Sequence, residues 1–260
     1  MREGTAAASL QAEYGEYAMD LASRLSALPE AAMRTAALAE AFRRMGPVRA
    51  VWTLEAVIRG ALRKDGKCVD VYNALVDPVP VMASVGDRQL GAMLRAGRDQ
   101  GCPAAIQWLL SESVGEASSE GLDADRLVDK ELRQLTLGDR RALARRAKGE
   151  MINRLAADPD PGVITNLLQN ARVTEVTVLS IASRRPTVSA ALEAVLASPR
   201  WERRHRVQVA LVKNPYLARR RAVHLLVYLT HAELRQVRDD DSLSSELRLS
   251  AQRLLDIPLG

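Results

Sequence analysis

Helix-starting and helix-stopping residues recur along the whole of this chain, and they limit it to short, closely spaced helices. Pro47 and Pro103 each stand just before an apolar run. Their fixed φ and missing N–H suit the first helical position, and Pro29 reads the same way. The pattern gives an amphipathic helix over 5–28 and a second from Pro29 to near Gly46. A third starts at Pro47, with Val51, Leu54, Val57, Ile58 and Leu62 on one face. Asp65-Gly66 reads as the stop of that third helix. A short helix over 69–76 is broken by Asp77-Pro78-Val79-Pro80. Ser84-Val85-Gly86-Asp87, Thr136-Leu137-Gly138-Asp139 and Thr230-His231-Ala232-Glu233 read as capping boxes. The second of these opens a helix expected to reach about Ala157. Only 3% of the residues are aromatic against 47% hydrophobic, and Phe42 is the single Phe. The core must therefore come from Leu, Ala and Val, a mixture that favours helices over strands. The expected fold class is all-α.

Several kinds of chemistry are excluded at this level. No window approaches the ~18 uninterrupted apolar residues of a membrane-spanning helix. The opening run Met1–Ala8 leads into Gln11, Glu13 and Glu16, which a secretory apolar segment does not accommodate, so a cytoplasmic location is expected. Cys68 and Cys102 stand far apart with no His nearby, too few ligands for zinc; they read as buried thiols, with a disulfide as the other option. Neither a Gly-rich phosphate loop, a Gly-x-Ser-x-Gly elbow nor a His-Glu-x-x-His pair is present, so no cofactor, metal or catalytic set is assigned.

The second half carries a recurrence. Leu167-Leu168-Gln169-Asn170 returns as Leu211-Val212-Lys213-Asn214, 44 positions later, each time at the end of a short helix and followed by two more. Asn170 and Asn214 read as helix ends in the left-handed conformation. A period of ~40–47 residues with two or three helices per unit resembles the HEAT and armadillo superfamily. The resemblance covers about residues 155–255. It implies an α-solenoid, a right-handed superhelix of helical repeats, following a helical N-terminal half. The expected organisation is a helical region over 1–110, a Ser/Gly/Glu-rich linker or mobile loop over 111–125, and a HEAT-like repeat region over 126–260.

Charge points to a partner. The chain is +5 overall, but residues 140–221 hold 17 basic and 6 acidic side chains. Arg140, Arg141, Arg145, Arg146 and Lys148 share one helix, Arg200, Arg203, Arg204, His205 and Arg206 open another, and Arg219, Arg220 and Arg221 open a third. If the first two helices are equivalent in a stack, their arginines form one ridge. Arginine's planar fork suits carboxylates and phosphates. The reading is a non-enzymatic scaffold or adaptor that binds an acidic protein surface through Arg140, Arg141, Arg145, Arg200, Arg203, Arg204, Arg206 and Arg220, with Trp201 beside them. The alternative is nucleic-acid binding by the same residues, Trp201 serving as a stacking platform. A remote third reading is a DNA-base glycosylase. HEAT-like glycosylases pair an aromatic surface with a carboxylate, and Trp108 and Glu112 lie one turn apart. The blander readings are that the arginines form a solvated face and that Trp201 and Trp52 are core. Asp158-Pro159-Asp160-Pro161 reads as an extended entry with Asp160 as N-cap, and Asp239-Asp240-Asp241 as acids favouring the last helix's start. His224 reads as core and His231 as a helix-start residue.

Overall fold

The computed structural model describes residues 2–110 and 124–258. Every regular element among them is a helix. In order they are α1 (Arg2–Ser26), α2 (Ala31–Arg44), α3 (Pro47–Leu62), α4 (Gly66–Tyr72), α5 (Pro78–Val85), α6 (Asp87–Gln100) and α7 (Pro103–Leu110). Then come α8 (Ala124–Leu127), α9 (Leu137–Arg146), α10 (Glu150–Leu155), α11 (Pro161–Gln169), α12 (Glu175–Ser183) and α13 (Ser189–Leu196). The last are α14 (His205–Val212), α15 (Arg219–Leu225), α16 (His231–Asp239) and α17 (Ser245–Leu255), with 3₁₀ turns at Leu132–Gln134 and Leu226–Tyr228. None of the described helices is long and apolar enough to cross a membrane.

These helices form two compact units that are interleaved in sequence. Within the described residues one unit takes 2–110, 223–238 and 249–258, and the other takes 124–222 and 239–248. In the first unit α3 is the central element, packed by α1, α4, α6, α7 and the 226–228 turn. Its apolar residues cover most of its circumference, and Val51, Leu54, Val57 and Ile58 are all buried. Each such side chain contributes roughly 1.5–3 kcal/mol by leaving water. Gly60 lets α4 pack close against α3: a Cβ there would stand 2.3 Å from Cys68 Sγ, a distance no packing allows. Gln89 on α6 closes the end of α2, donating from Nε2 to the carbonyls of Phe42 (3.1 Å) and Met45 (2.9 Å).

Later segments complete this unit. Tyr72 Oη donates to the His224 carbonyl at 3.0 Å, and Lys64 Nζ donates to the carbonyls of Val227 and Leu229, both at 3.1 Å. Burial lowers the Lys64 pKa, which Glu233 partly offsets. Glu55, 1% exposed, meets Arg59 at 2.7 Å and accepts the Ala105 N–H at 2.8 Å, so a side chain of α3 caps the start of α7.

In the second unit α9 packs on α11, α11 on α13, and α12 on α14. Two asparagines perform the same task here. Asn170, just after α11, donates from Nδ2 to the carbonyls of Ala144 and Ala147 at the end of α9, both at 3.0 Å. Asn214, just after α14, donates to the carbonyls of Ala182 (2.8 Å) and Arg184 (3.0 Å) at the end of α12. Each Oδ1 accepts the N–H two residues on, from Arg172 and Tyr216, at 3.0 Å. Orphan carbonyls at helix ends are thus satisfied from another helix.

Several local expectations are corrected. Asn170 is extended (φ −67°, ψ 125°), not left-handed, and Lys64 is the described non-glycine residue with positive φ. The asparagine is there for its side chain rather than for its backbone freedom. Pro29 lies outside α2, whose N-cap is Glu30. Asp65 starts α4, accepting the Cys68 N–H at 3.0 Å, rather than stopping α3. Pro78 opens a helix instead of breaking one. Ser84 caps nothing: Gly86, at φ 84°, ends α5 and starts α6. The helix opened by Thr136 stops at Arg146, where Ala147 is extended, and α10 restarts at Glu150. The capping pairs at Thr136 and Thr230 do form, the second with reciprocal backbone bonds of 2.8 and 3.3 Å to and from Glu233. The expected linker falls largely on 111–123, outside the described residues.

Candidate functional site

The basic residues of the second unit divide into those bound internally and those that face water. Asp158-Pro159-Asp160-Pro161 is the reason for the first group. Asp160 caps α11 through the Val163 N–H at 2.9 Å and takes both Nε and Nη2 of Arg141, each at 2.9 Å. Asp158, fully buried as a side chain, stands 2.9 Å from Arg140 Nε, charge against charge without hydrogen-bond alignment. Arg145 donates to Asn166 Oδ1 at 3.1 Å. Arg140 and Arg141 therefore fasten the entry to α11.

The two aspartates titrate in opposite senses. Arg141, first, and then the Val163 N–H hold Asp160 below the usual carboxylate range, against a smaller opposing effect of burial. Asp158 is raised, chiefly by burial, which outweighs the Asp160 N–H and the Arg140 charge. A lowered carboxyl stabilises the fold above its unfolded value, near about 4, and loses that contribution as pH falls through its folded value. A raised one does the reverse, favouring the fold as it protonates. The expected result is that Asp160→Asn flattens the acid limb: urea midpoints measured from about pH 5 to 2 should change less than in the parent chain.

Trp201 is core, 4% exposed, with Nε1 donating to the Leu168 carbonyl at 3.3 Å. It offers no stacking platform. Arg200 lies over its ring, 4.5 Å from guanidinium carbon to centroid, and donates to the carbonyls of Asn170 (3.3 Å) and Val173 (3.2 Å). Asn170 and Arg200 together tie the end of α9, the 170–173 turn and the 198–204 turn into one knot. The exposed Arg146, Lys148, Arg172, Arg203 and Arg204 belong to the segments it gathers. Arg206, one residue into α14, is exposed, and Arg220 on α15 is half-buried between Arg219, paired with Glu246 at 3.0 Å, and Arg221, paired with Glu193 at 3.1 Å.

Equivalence of the two arginine helices, the condition for one unbroken ridge, is not met. By the asparagine bonds α11 corresponds to α14, and α9 to α12. The arginines of α9 and those opening α14 thus stand on helices with different roles. Arg146 and Lys148 at the end of α9 and Arg172 after α11 come to the knot by tertiary contact. No spacing in the sequence announces that contact.

The other candidates resolve simply. Trp108 is buried, its Nε1 donates to the Leu75 carbonyl at 3.0 Å and its ring lies 6.1 Å from His224, so it presents no aromatic surface for a base. Glu112 lies outside the described residues. His224 is buried, as expected of a core histidine. Cys68 and Cys102 are free and buried, each with its thiol pushed up to about 12, by burial first and then by Asp65 and Glu55 respectively. Asp240 Oδ1 accepts the N–H and hydroxyl of Ser242 at 3.0 and 2.6 Å, and Asp241 pairs with Arg248 at 2.9 Å. Compared with known proteins, the chain matches no family model, no curated protein and no solved structure.

Proposed function

We propose that this protein is a non-enzymatic interaction module, a HEAT-like repeat scaffold whose second unit binds an acidic protein surface. The observation that carries the reading is the exposed run Arg203, Arg204 and Arg206 at the start of α14, beside the knot that gathers Arg146, Lys148 and Arg172. Arg203 and Arg204 sit at a helix N-terminus, where the dipole disfavours cations by a few tenths of a kcal/mol or more. An external acid offsets that cost. The two matching asparagine turns support the repeat reading, since each is tied to an earlier helix end by two side-chain bonds and closed on itself by a third.

A direct test titrates a fluorescein-labelled poly-glutamate peptide into the chain at about 50 and 200 mM salt, with labelled single- and double-stranded DNA alongside. The expected result is peptide binding that weakens roughly tenfold or more in the variant Arg203→Glu/Arg204→Glu/Arg206→Glu. Unchanged binding in that variant, or none at low salt, overturns the reading. DNA binding tighter than the ~10⁻⁶ M of non-specific contacts, lost in the same variant, replaces the acidic protein with phosphates.

A further inference from the structure

The two helices whose ends the asparagines close, α9 and α12, hold equivalent places but present different surfaces. α9, Leu-Gly-Asp-Arg-Arg-Ala-Leu-Ala-Arg-Arg, is half charged. α12, Glu-Val-Thr-Val-Leu-Ser-Ile-Ala-Ser, carries one charge, on Glu175 in its first turn. The buried side of α12 is Thr177, Val178, Ile181 and Ala182, and the helix packs on α13 and α14. The opposite side is Val176, Leu179, Ser180 and Ser183, spaced i, i+3, i+4 and i+7 and so on one face. Val176 is 72% exposed, the most of any large apolar residue among those described. Leu179 is half-buried, and both serines are exposed. Ser183 turns its hydroxyl back onto the Leu179 carbonyl at 2.7 Å, which spends its one donor on the helix itself.

A surface helix sets its charges on the side away from the core, and a helix with charge on neither side belongs under a second surface. Cations stand at both ends of this uncharged strip. Arg172 lies three residues before α12, and Arg184 directly follows it. Both are exposed, and among the described residues neither meets a carboxylate. Arg172 also belongs to the basic group at the knot, so the strip continues that surface. At 1.5 Å per residue α12 is about 13 Å long. An extended polypeptide covers that span in about four residues.

We infer that α12 is a docking strip for the acidic partner proposed above, and that the partner segment carries apolar residues between two acidic ends. The acids pair with Arg172 and Arg184, and alternate apolar side chains of the extended segment cover Val176 and Leu179. Charge places the acids at the ends, and the uncharged helix face places the apolar residues between them. This rests on the second unit being the surface that takes an acidic protein, and it adds the order of residues in that protein.

The test titrates fluorescein-labelled peptides into the full chain. One is Glu-Glu-Glu-Leu-Ser-Leu-Glu-Glu-Glu, one is poly-glutamate of the same length, and one is the first with Gln for every Glu. The leucine peptide is expected to bind about tenfold tighter than poly-glutamate. The Gln peptide should bind about tenfold or more weaker than the leucine peptide. Val176→Ser, at an exposed position, should leave the Tm in place and cut the leucine preference to about threefold or less. Poly-glutamate, with no apolar side chain to place there, should bind that variant and the parent alike. Arg184→Glu should weaken both acidic peptides. Equal binding of the leucine peptide and poly-glutamate, with both lost in Arg203→Glu/Arg204→Glu/Arg206→Glu, overturns the strip and leaves the acidic-partner reading standing. A leucine preference undiminished by Val176→Ser, or Gln and Glu peptides that bind alike, also overturns it. Failure of every peptide at about 50 mM salt overturns both.

Discussion

Replacing Asn170 by Ala should lower the free energy of unfolding by about 3 kcal/mol, and replacing Asn214 by Ala should cost a similar amount. Each substitution strands two helix-end carbonyls and frees one turn N–H, and the stranded carbonyls belong mostly to buried residues: Ala144, Ala147 and Ala182. An unsatisfied buried polar group costs about 1–3 kcal/mol. Asn170→Asp separates this cause from loss of volume. The carboxylate is nearly isosteric but has no N–H to give, and it places charge against two carbonyl oxygens. It should destabilise at least as much as Ala in urea unfolding at neutral pH. If Asp proves milder than Ala, the two amide bonds are not what holds these turns.

Glu55→Ala should be among the costly single changes in the first unit, at about 3–5 kcal/mol. The reason is what it leaves behind. Arg59, mostly buried, loses its carboxylate, and the Ala105 N–H at the start of α7 loses its acceptor. Glu55→Gln keeps an oxygen for Ala105 but no charge for Arg59, and should fall between Ala and the parent. Thermal and urea unfolding of the three chains give the order. A loss below about 1 kcal/mol for Ala, a value typical of exposed pairs, would mean that water reaches this carboxylate.

The sequence shows the fold where the cause is local. Pro47 and Pro103 open helices, Asp160 and Pro161 form a cap and first position, and the boxes at Thr136 and Thr230 close as their spacing requires. Each involves groups within four residues. Long-range causes are hidden. Nothing near Arg140 or Arg141 indicates that aspartates 18 and 19 residues on will hold them. Nothing near Gly86 indicates that a bend, not a capping serine, separates α5 from α6. The asparagine recurrence lies between these cases. The repetition was visible, and its physical cause was not, because both donor bonds cross more than 20 residues. For the candidate surface, charge alone found Arg203, Arg204 and Arg206, whereas Arg172 needed the knot to bring it in.

The interleaving of the first unit has a consequence for synthesis. A ribosome delivers α1 to α7 long before residues 223–238 and 249–258, which complete the same unit. Until then Tyr72 and Lys64 lack the carbonyls of His224, Val227 and Leu229, and Arg59 lacks that of Pro258. Closing such contacts across 152 to 199 residues is slow compared with forming a helix. The nascent N-terminal half therefore waits with one side of α3 open, and the second unit, made in the interval, has the opportunity to fold first.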